Sequence, residues 1–190
     1  YLAVYKKDSV YLLTGSSSDD FAINLFANKG AVGANSILNV DNKQYFLSNG
    51  IFALEQVGEL NQIQLGSEIS QKIKDEFSRF EKLENSIALH YEAKNQIWYF
   101  FPYVSDKFFH TIWINDYENK AWYKRKIPQN VVTACIYNAK IYTADKDGKI
   151  YKEDFGTSFA GKPIDFLWKT PFLAITKPHH RKMIDQFYFL

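Results

Sequence analysis

Three kinds of side-chain grouping in this sequence have the types and spacing from which chemistry is built: basic runs, adjacent carboxylates and a histidine doublet. The basic runs are Lys124-Arg125-Lys126 and the stretch 177–182, which holds Lys177, Arg181 and Lys182. Closely spaced cations are what a phosphate backbone needs, so these six residues are the candidate contacts for nucleic acid or an acidic partner. The same runs also read as a strand end and a solvated loop. His179-His180 lies inside the second run. Adjacent residues of a strand point to opposite faces, so the two rings would not converge on one metal.

Adjacent carboxylates occur as Asp19-Asp20, Asp75-Glu76 and Glu153-Asp154. General acid–base work needs two carboxyls whose environments push their pKa values apart, and none of these pairs has such a context. Asp145-Lys146-Asp147-Gly148 opens like a calcium loop, but its glycine comes too early for that pattern, so a hairpin turn is expected. Gly30-Ala31-Val32-Gly33 lacks the flanking strand and helix of a phosphate loop and reads as a loop entering a strand. Cys135, the single cysteine, lies in the apolar run Val131-Val132-Thr133-Ala134-Cys135-Ile136. It cannot form an internal disulfide and is expected to be a small buried residue on a strand. Trp98, Trp113, Trp122 and Trp168 could stack on sugars, although packing between sheets accounts for them as well. No catalytic residue, metal site or cofactor is expected from these groups, and the chain reads as a non-enzyme.

The elements that would position these residues are mostly strands. Aromatics make up 17% of the 190 residues, and such side chains suit a pleated, half-buried surface. The net charge of +2 does not indicate a general nucleic-acid binder. No apolar run reaches the length of a membrane helix, and no signal-peptide pattern opens the chain. The chain begins and ends on strand-like runs, so a piece of a longer protein is expected. Alternation with a period of two marks strands at 3–5, 10–13, 36–40, 44–47, 51–56, 62–65, 87–91, 97–101, 111–115 and 121–126. Further strands follow at 132–137, 140–143, 149–152, 163–169 and 183–189. Between 67 and 83, apolar residues fall at Ile69, Ile73, Phe77, Phe80 and Leu83, the stripe of one helix packed on the sheets. Gly66-Ser67 offers its break and N-cap.

A short repeat organises the strands. Tyr91-Glu92-Ala93-Lys94-Asn95-Gln96-Ile97-Trp98-Tyr99 is echoed by Tyr117-Glu118-Asn119-Lys120-Ala121-Trp122-Tyr123, then more weakly by Tyr137-Asn138-Ala139-Lys140-Ile141-Tyr142 and Asp147-Gly148-Lys149-Ile150-Tyr151. Each copy is a tight turn followed by a return strand carrying an aromatic. Two such hairpins make a four-stranded unit of propeller-blade size. The expected fold is therefore mostly β: a partial or small β-propeller of four-stranded antiparallel blades with one packed helix, or alternatively a β-sandwich. A single β domain over 1–190 is expected, with blade-like units at 35–68, 86–128 and 131–190.

The order of motifs also resembles a known family. Asp20-Phe21 is followed by Gly33-Ala34-Asn35-Ser36-Ile37, then Phe46-Leu47-Ser48-Asn49-Gly50-Ile51 and Ile69-Ser70-Gln71-Lys72-Ile73. Next come the Tyr91 repeat ending Ile97-Trp98-Tyr99-Phe100-Phe101, Ile114 to Trp122, and Ile141 to Tyr151. The series closes with Gly161-Lys162-Pro163-Ile164, Trp168-Lys169-Thr170-Pro171-Phe172 and Lys182. Over residues 20–190 this resembles the propeller region of tail nozzle, or packaged-DNA stabilisation, proteins of short-tailed phages. The resemblance implies a structural virion component, assembled in the bacterial host cytoplasm, that forms a ring beneath the portal and retains and conducts DNA. Implied partners are further copies of the chain, portal or adaptor and tail fibres, with transient contact to double-stranded DNA and none to membrane. Two other function classes compete. A carbohydrate-binding propeller needs exposed aromatics on one face, and a glycoside-cleaving propeller needs an acid cluster that the sequence does not display.

Overall fold

The computed structural model describes residues 2–58, 62–103 and 107–164. The chain divides into two compact units, Tyr1–Gly156 and Thr157–Leu190, where a single β domain was expected. Of the second unit only 157–164 is described, and there Phe159 and Lys162 form an isolated bridge. The expected strand at 183–189, nearly all of that at 163–169, the histidine doublet, Trp168 and the basic residues Lys177, Arg181 and Lys182 lie outside the described residues.

The first unit is mostly β, and all of its sheets are antiparallel. Strands β1 (Leu2–Tyr5), β2 (Val10–Thr14) and β3 (Ala22–Ala27) form a three-stranded sheet. β4 (Leu38–Val40), β5 (Lys43–Leu47), β6 (Ile51–Val57) and β7 (Gln62–Leu65) form a four-stranded meander, at the place expected for the first blade-like unit. β8 (Ile87–Tyr91), β9 (Gln96–Phe100), β10 (Phe109–Asp116), β11 (Ala121–Tyr137), β12 (Lys140–Asp145) and β13 (Ile150–Lys152) form one six-stranded meander. The expected boundary between 128 and 131 does not exist, because β11 runs through it. One half of β11 pairs with β10 and the other with β12. Its register slips between Lys126 and Val131, and Pro128 sits inside that slip. A proline cannot donate to a ladder, so it is tolerated at a bulge.

The four sequence repeats are the turns β8–β9, β10–β11, β11–β12 and β12–β13 of this meander. Each turn puts a residue into the left-handed region: Asn95 (φ 53°), Lys120 (φ 52°), Asn138 and Ala139 (φ 47° and 54°), and Gly148 (φ 78°). The first two turns lie at the same end of the sheet and interlock. Asn95 donates to Glu118 (2.8 Å), and its backbone carbonyl accepts from the Tyr117 N–H (3.2 Å).

The sheets stack face to face in chain order. Along β5 and β6, Tyr45, Leu47, Ile51 and Ala53 face one way and meet Ile97, Tyr99, Phe101 and Trp113 of the six-stranded sheet. Phe46, Phe52 and Leu54 face the other way and meet Val10, with Ala3, Tyr5 and Phe26 at the margin. Coverage on both faces explains why these strands read as nearly continuous apolar runs. The Gly30-Ala31-Val32-Gly33 loop stitches the stack together. The Ala31 N–H donates to Lys6 O (2.9 Å) and the Val32 N–H to Leu47 O (2.8 Å). A Cβ at Gly30 would collide with Lys6 O, and one at Gly33 with Glu84 O. Side-chain-free backbone is what permits the close approach.

The expected helix is present as a tighter 3-10 segment, Ile69–Arg79, interrupted at Ile73 (φ −117°, ψ 16°). The interruption keeps the whole apolar stripe on one core, since Ile69, Ile73, Phe77, Phe80 and Leu83 all join the cluster between the two larger sheets. Ser67 does not cap it. Ser70, buried in the first turn, accepts the Ile51 N–H (3.0 Å) and donates to Glu68 (2.9 Å).

The two ends of the stack differ. The six-stranded sheet curls into a half-barrel that brings β8 towards β11 and β12, so its second face, with Trp98, Phe100, Ile112 and Ile114, is buried within the curl. The three-stranded sheet stays open. Leu2, Phe21, Ile23 and Leu25 share its outer face and are 59, 58, 58 and 54% exposed.

Candidate functional site

The four-stranded and six-stranded sheets part at the end that carries the interlocked turns, leaving a cleft of about 320 Å3. One wall is Lys43, Tyr45, Ala53 and Glu55 of β5 and β6. The opposite wall is Asn115, Tyr117, Lys120 and Trp122, from the second copy of the repeat. The floor strip is Gly66, Ser67, Ile69 and Lys72.

These side chains are held by their surroundings. Trp122 Nε1 donates to Ile69 O (3.3 Å), and its ring leans on Tyr99 with centroids 5.8 Å apart. The Tyr117 hydroxyl lies 3.1 Å from His90 Nε2 and donates to Asn95 Oδ1 (3.3 Å). Asn115 is buried and spends its Nδ2 on Ala121 O (3.3 Å). Asp116 closes the turn behind them by accepting from the side-chain and backbone N–H groups of Asn119, which hold its carboxyl below the usual carboxylate range. Burial raises the phenols of Tyr45 and Tyr117. Behind Trp122, Tyr99 is fully buried and its hydroxyl has no hydrogen-bond partner among the described residues. Burial pushes its phenol far above the ordinary tyrosine range.

The cations of the cleft are not equivalent. Lys43 is ion-paired with Glu55 (2.7 Å), whose hydrogen bond raises the lysine pKa. Lys72 donates to the backbone carbonyl of Lys120 (2.7 Å). Lys120 itself has no ion-pair partner among the described residues.

The basic run at 124–126 does not form a single basic face. On β11, Lys124 and Lys126 point to one side of the sheet and Arg125 to the other. Lys124 pairs with Glu76 (3.0 Å) over the Trp113 ring (5.0 Å). Arg125 pairs with Glu153 (3.3 Å) and Asp154 (2.9 Å) and lies over Trp98 (5.2 Å). Lys126 is exposed.

The adjacent carboxylates hold structure. Asp20 accepts from Ser17 and Ser16, and these bonds bring its pKa down to about 2. Glu76 serves Arg79 and Lys124, and Glu153 also accepts from Thr143 (2.8 Å). In the Asp145-Lys146-Asp147-Gly148 stretch, Asp145 accepts from the N–H groups of Lys149 and Asp147 and from the Tyr151 hydroxyl, as a hairpin-turn carboxylate does. Cys135 corrects the sequence reading. It is exposed, on the half of β11 that pairs with β12. Trp98 and Trp113 are buried in the packing, whereas Trp122 is half-buried and lines the cleft.

The sequence flagged Trp122 but not Lys43, Tyr45, Tyr117, Lys72 or Lys120. The one signal available was the repeat itself, whose second copy, two residues shorter, supplies Tyr117, Lys120 and Trp122. Compared with known proteins, the sequence matches no family model and no curated protein.

Proposed function

We propose that the protein is a structural, non-enzymatic component of a virion tail, one of several copies that close into a ring through which DNA passes. The tail setting rests on the order of motifs along the chain. Assembly rests on one observation, the open face of the three-stranded sheet. Leu2, Phe21, Ile23 and Leu25 are each more than half exposed, and an apolar patch of this kind on a monomer is often functional. Three sheets stacked in chain order, the middle one covered on both faces, match the arrangement of successive blades, and a partial propeller is the architecture that accommodates it. A sandwich is the alternative packing of the same sheets. The charge fits a conduit: the balance is near neutral, and Lys124 and Arg125 are already paired, so a passing duplex is not gripped.

The test is solution mass by light scattering after gel filtration, with the protein alone and mixed with portal or adaptor rings. The expected result is a ring-sized assembly that Ile23→Lys reduces to monomers without loss of folding. A wild-type monomer at every concentration that ignores both rings would overturn the reading.

A further inference from the structure

The cleft between the two larger sheets has the volume of a site for a small ligand, at the lower end of the ~300–1,000 Å3 usual for such pockets. Tyr45 lines one wall from β5, and the two aromatics of the opposite wall are fixed before any ligand arrives: Trp122 by Ile69 O, and Tyr117 by His90 and Asn95. Its charges do not cancel. Glu55 matches Lys43, while Lys72 is bonded only to a carbonyl and Lys120 is free among the described residues. Asp41, Glu92 and Glu118 lie near enough to act on Tyr117 from outside the lining, and Glu118 is engaged by Asn95. The lining itself sets Lys43, Lys72 and Lys120 against the one carboxylate of Glu55, beside flat apolar rings, with Ser67 present to hydrogen-bond hydroxyls.

Few ligand classes satisfy all of this. A purely apolar ligand would cover the ammonium groups of Lys72 and Lys120 with no anion beside them. A nucleic-acid strand would need cations continuing beyond the cleft, and Lys124 and Arg125 are spent on carboxylates. A ring with one apolar face, several hydroxyls and one anionic group uses every feature: the aromatic wall, the polar side chains and a charge-assisted pair of ammonium groups.

We propose that the cleft binds a sugar ring carrying one carboxylate, with its apolar face on Trp122 and its carboxylate at Lys72 and Lys120. The ring comes either as the free acid or as a residue of an acidic polysaccharide. This site does not depend on the tail reading, since its ligand is read by binding and the tail reading by assembly.

The experiment is isothermal titration calorimetry of the whole chain against sodium glucuronate, glucose, and an oligosaccharide alternating glucuronate with N-acetylglucosamine. Saturable binding of glucuronate at least about tenfold tighter than glucose is expected, weakening as salt rises. Lys120→Asn should weaken it about fivefold or more. Lys120 has φ 52°, a conformation asparagine adopts more readily than lysine, so the turn survives the change. Lys126→Asn, on β11 outside the cleft, should bind as the wild type does. Tighter binding of the oligosaccharide would assign the ligand to a polymer, and equal binding to the free acid. Glucose binding as tightly as glucuronate, a Lys120→Asn variant indistinguishable from the wild type, or no saturation with either acid would overturn the proposal.

Discussion

The three-stranded and six-stranded sheets are built by the same local rule and end differently. Both alternate in register with their neighbours, and both give one face to the four-stranded sheet between them. Six strands with a bulge in β11 have enough length and twist to curl, so the second face of that sheet becomes an interior. The three-stranded sheet, which also has a register shift beside Val10, stays open, and its second face is in solvent although Phe21, Ile23 and Leu25 are as apolar as residues of the curl. Residue type alone does not decide burial. The open end is therefore where the molecule has apolar surface to offer, and the curled end is where that surface is buried.

The sharpest way to break this comparison is a paired truncation. Trp98, 1% exposed, stands edge-on to Tyr91 at 5.9 Å inside the curl. Trp98→Ala should cost ~3–5 kcal/mol in urea unfolding. Ile23→Ala on the open face, measured at high dilution, should stay within ~0.5 kcal/mol. Equal costs would mean that the two ends do not differ energetically.

A smaller effect is expected at the ion-pair network that closes the curl. Arg125 reaches Glu153 and Asp154, and Glu153 is nearly buried. Arg125→Met should cost about 2 kcal/mol, less than a fully buried pair because the guanidinium is partly exposed. Adding Glu153→Gln to that variant should restore part of the loss, since the stranded carboxylate is the main penalty. A double variant weaker than the single one would place the energy elsewhere in the network.

The smallest effect is shared by both ends. Asp20, in the loop between β2 and β3, is held at about 2 against an ordinary 3.8, chiefly by the Ser17 N–H and then by Ser16. The N–H of Lys149 lowers Asp145 in the curled sheet in the same way. A depressed folded-state pKa adds stability that is complete above the unfolded value and is lost as pH falls through the folded one. The urea midpoint should therefore decline on acidification below about pH 4, towards pH 2 for the Asp20 contribution. Asp20→Asn and Asp145→Asn should each flatten that decline. A decline unchanged in both variants would detach the turns from acid sensitivity.

The strands of the four-stranded sheet and the hairpin turns were legible in the sequence because alternation and turn residues act over a few positions. Tyr91 to Tyr99 and Tyr117 to Tyr123 announced two turns, and those turns proved to be hydrogen-bonded neighbours. β3 escaped notice because Ala22-Ile23-Asn24-Leu25-Phe26-Ala27 has one polar residue and hardly alternates. The boundary expected between 128 and 131 is absent because a bulge absorbs Pro128 without ending the strand. The 3-10 geometry of Ile69–Arg79 depends on how far its stripe must turn to stay on the core, a distance that periodicity does not record. The cleft was only faintly readable, since its walls are brought together by sheets whose residues lie far apart in the chain, as Tyr45 and Trp122 do at 77 positions.

β11 belongs to two ladders at once, and this has a mechanical consequence. A pull on the β9–β10 side reaches β12 only through the backbone of β11. The slip at 127–130 acts as a compliant splice in that beam.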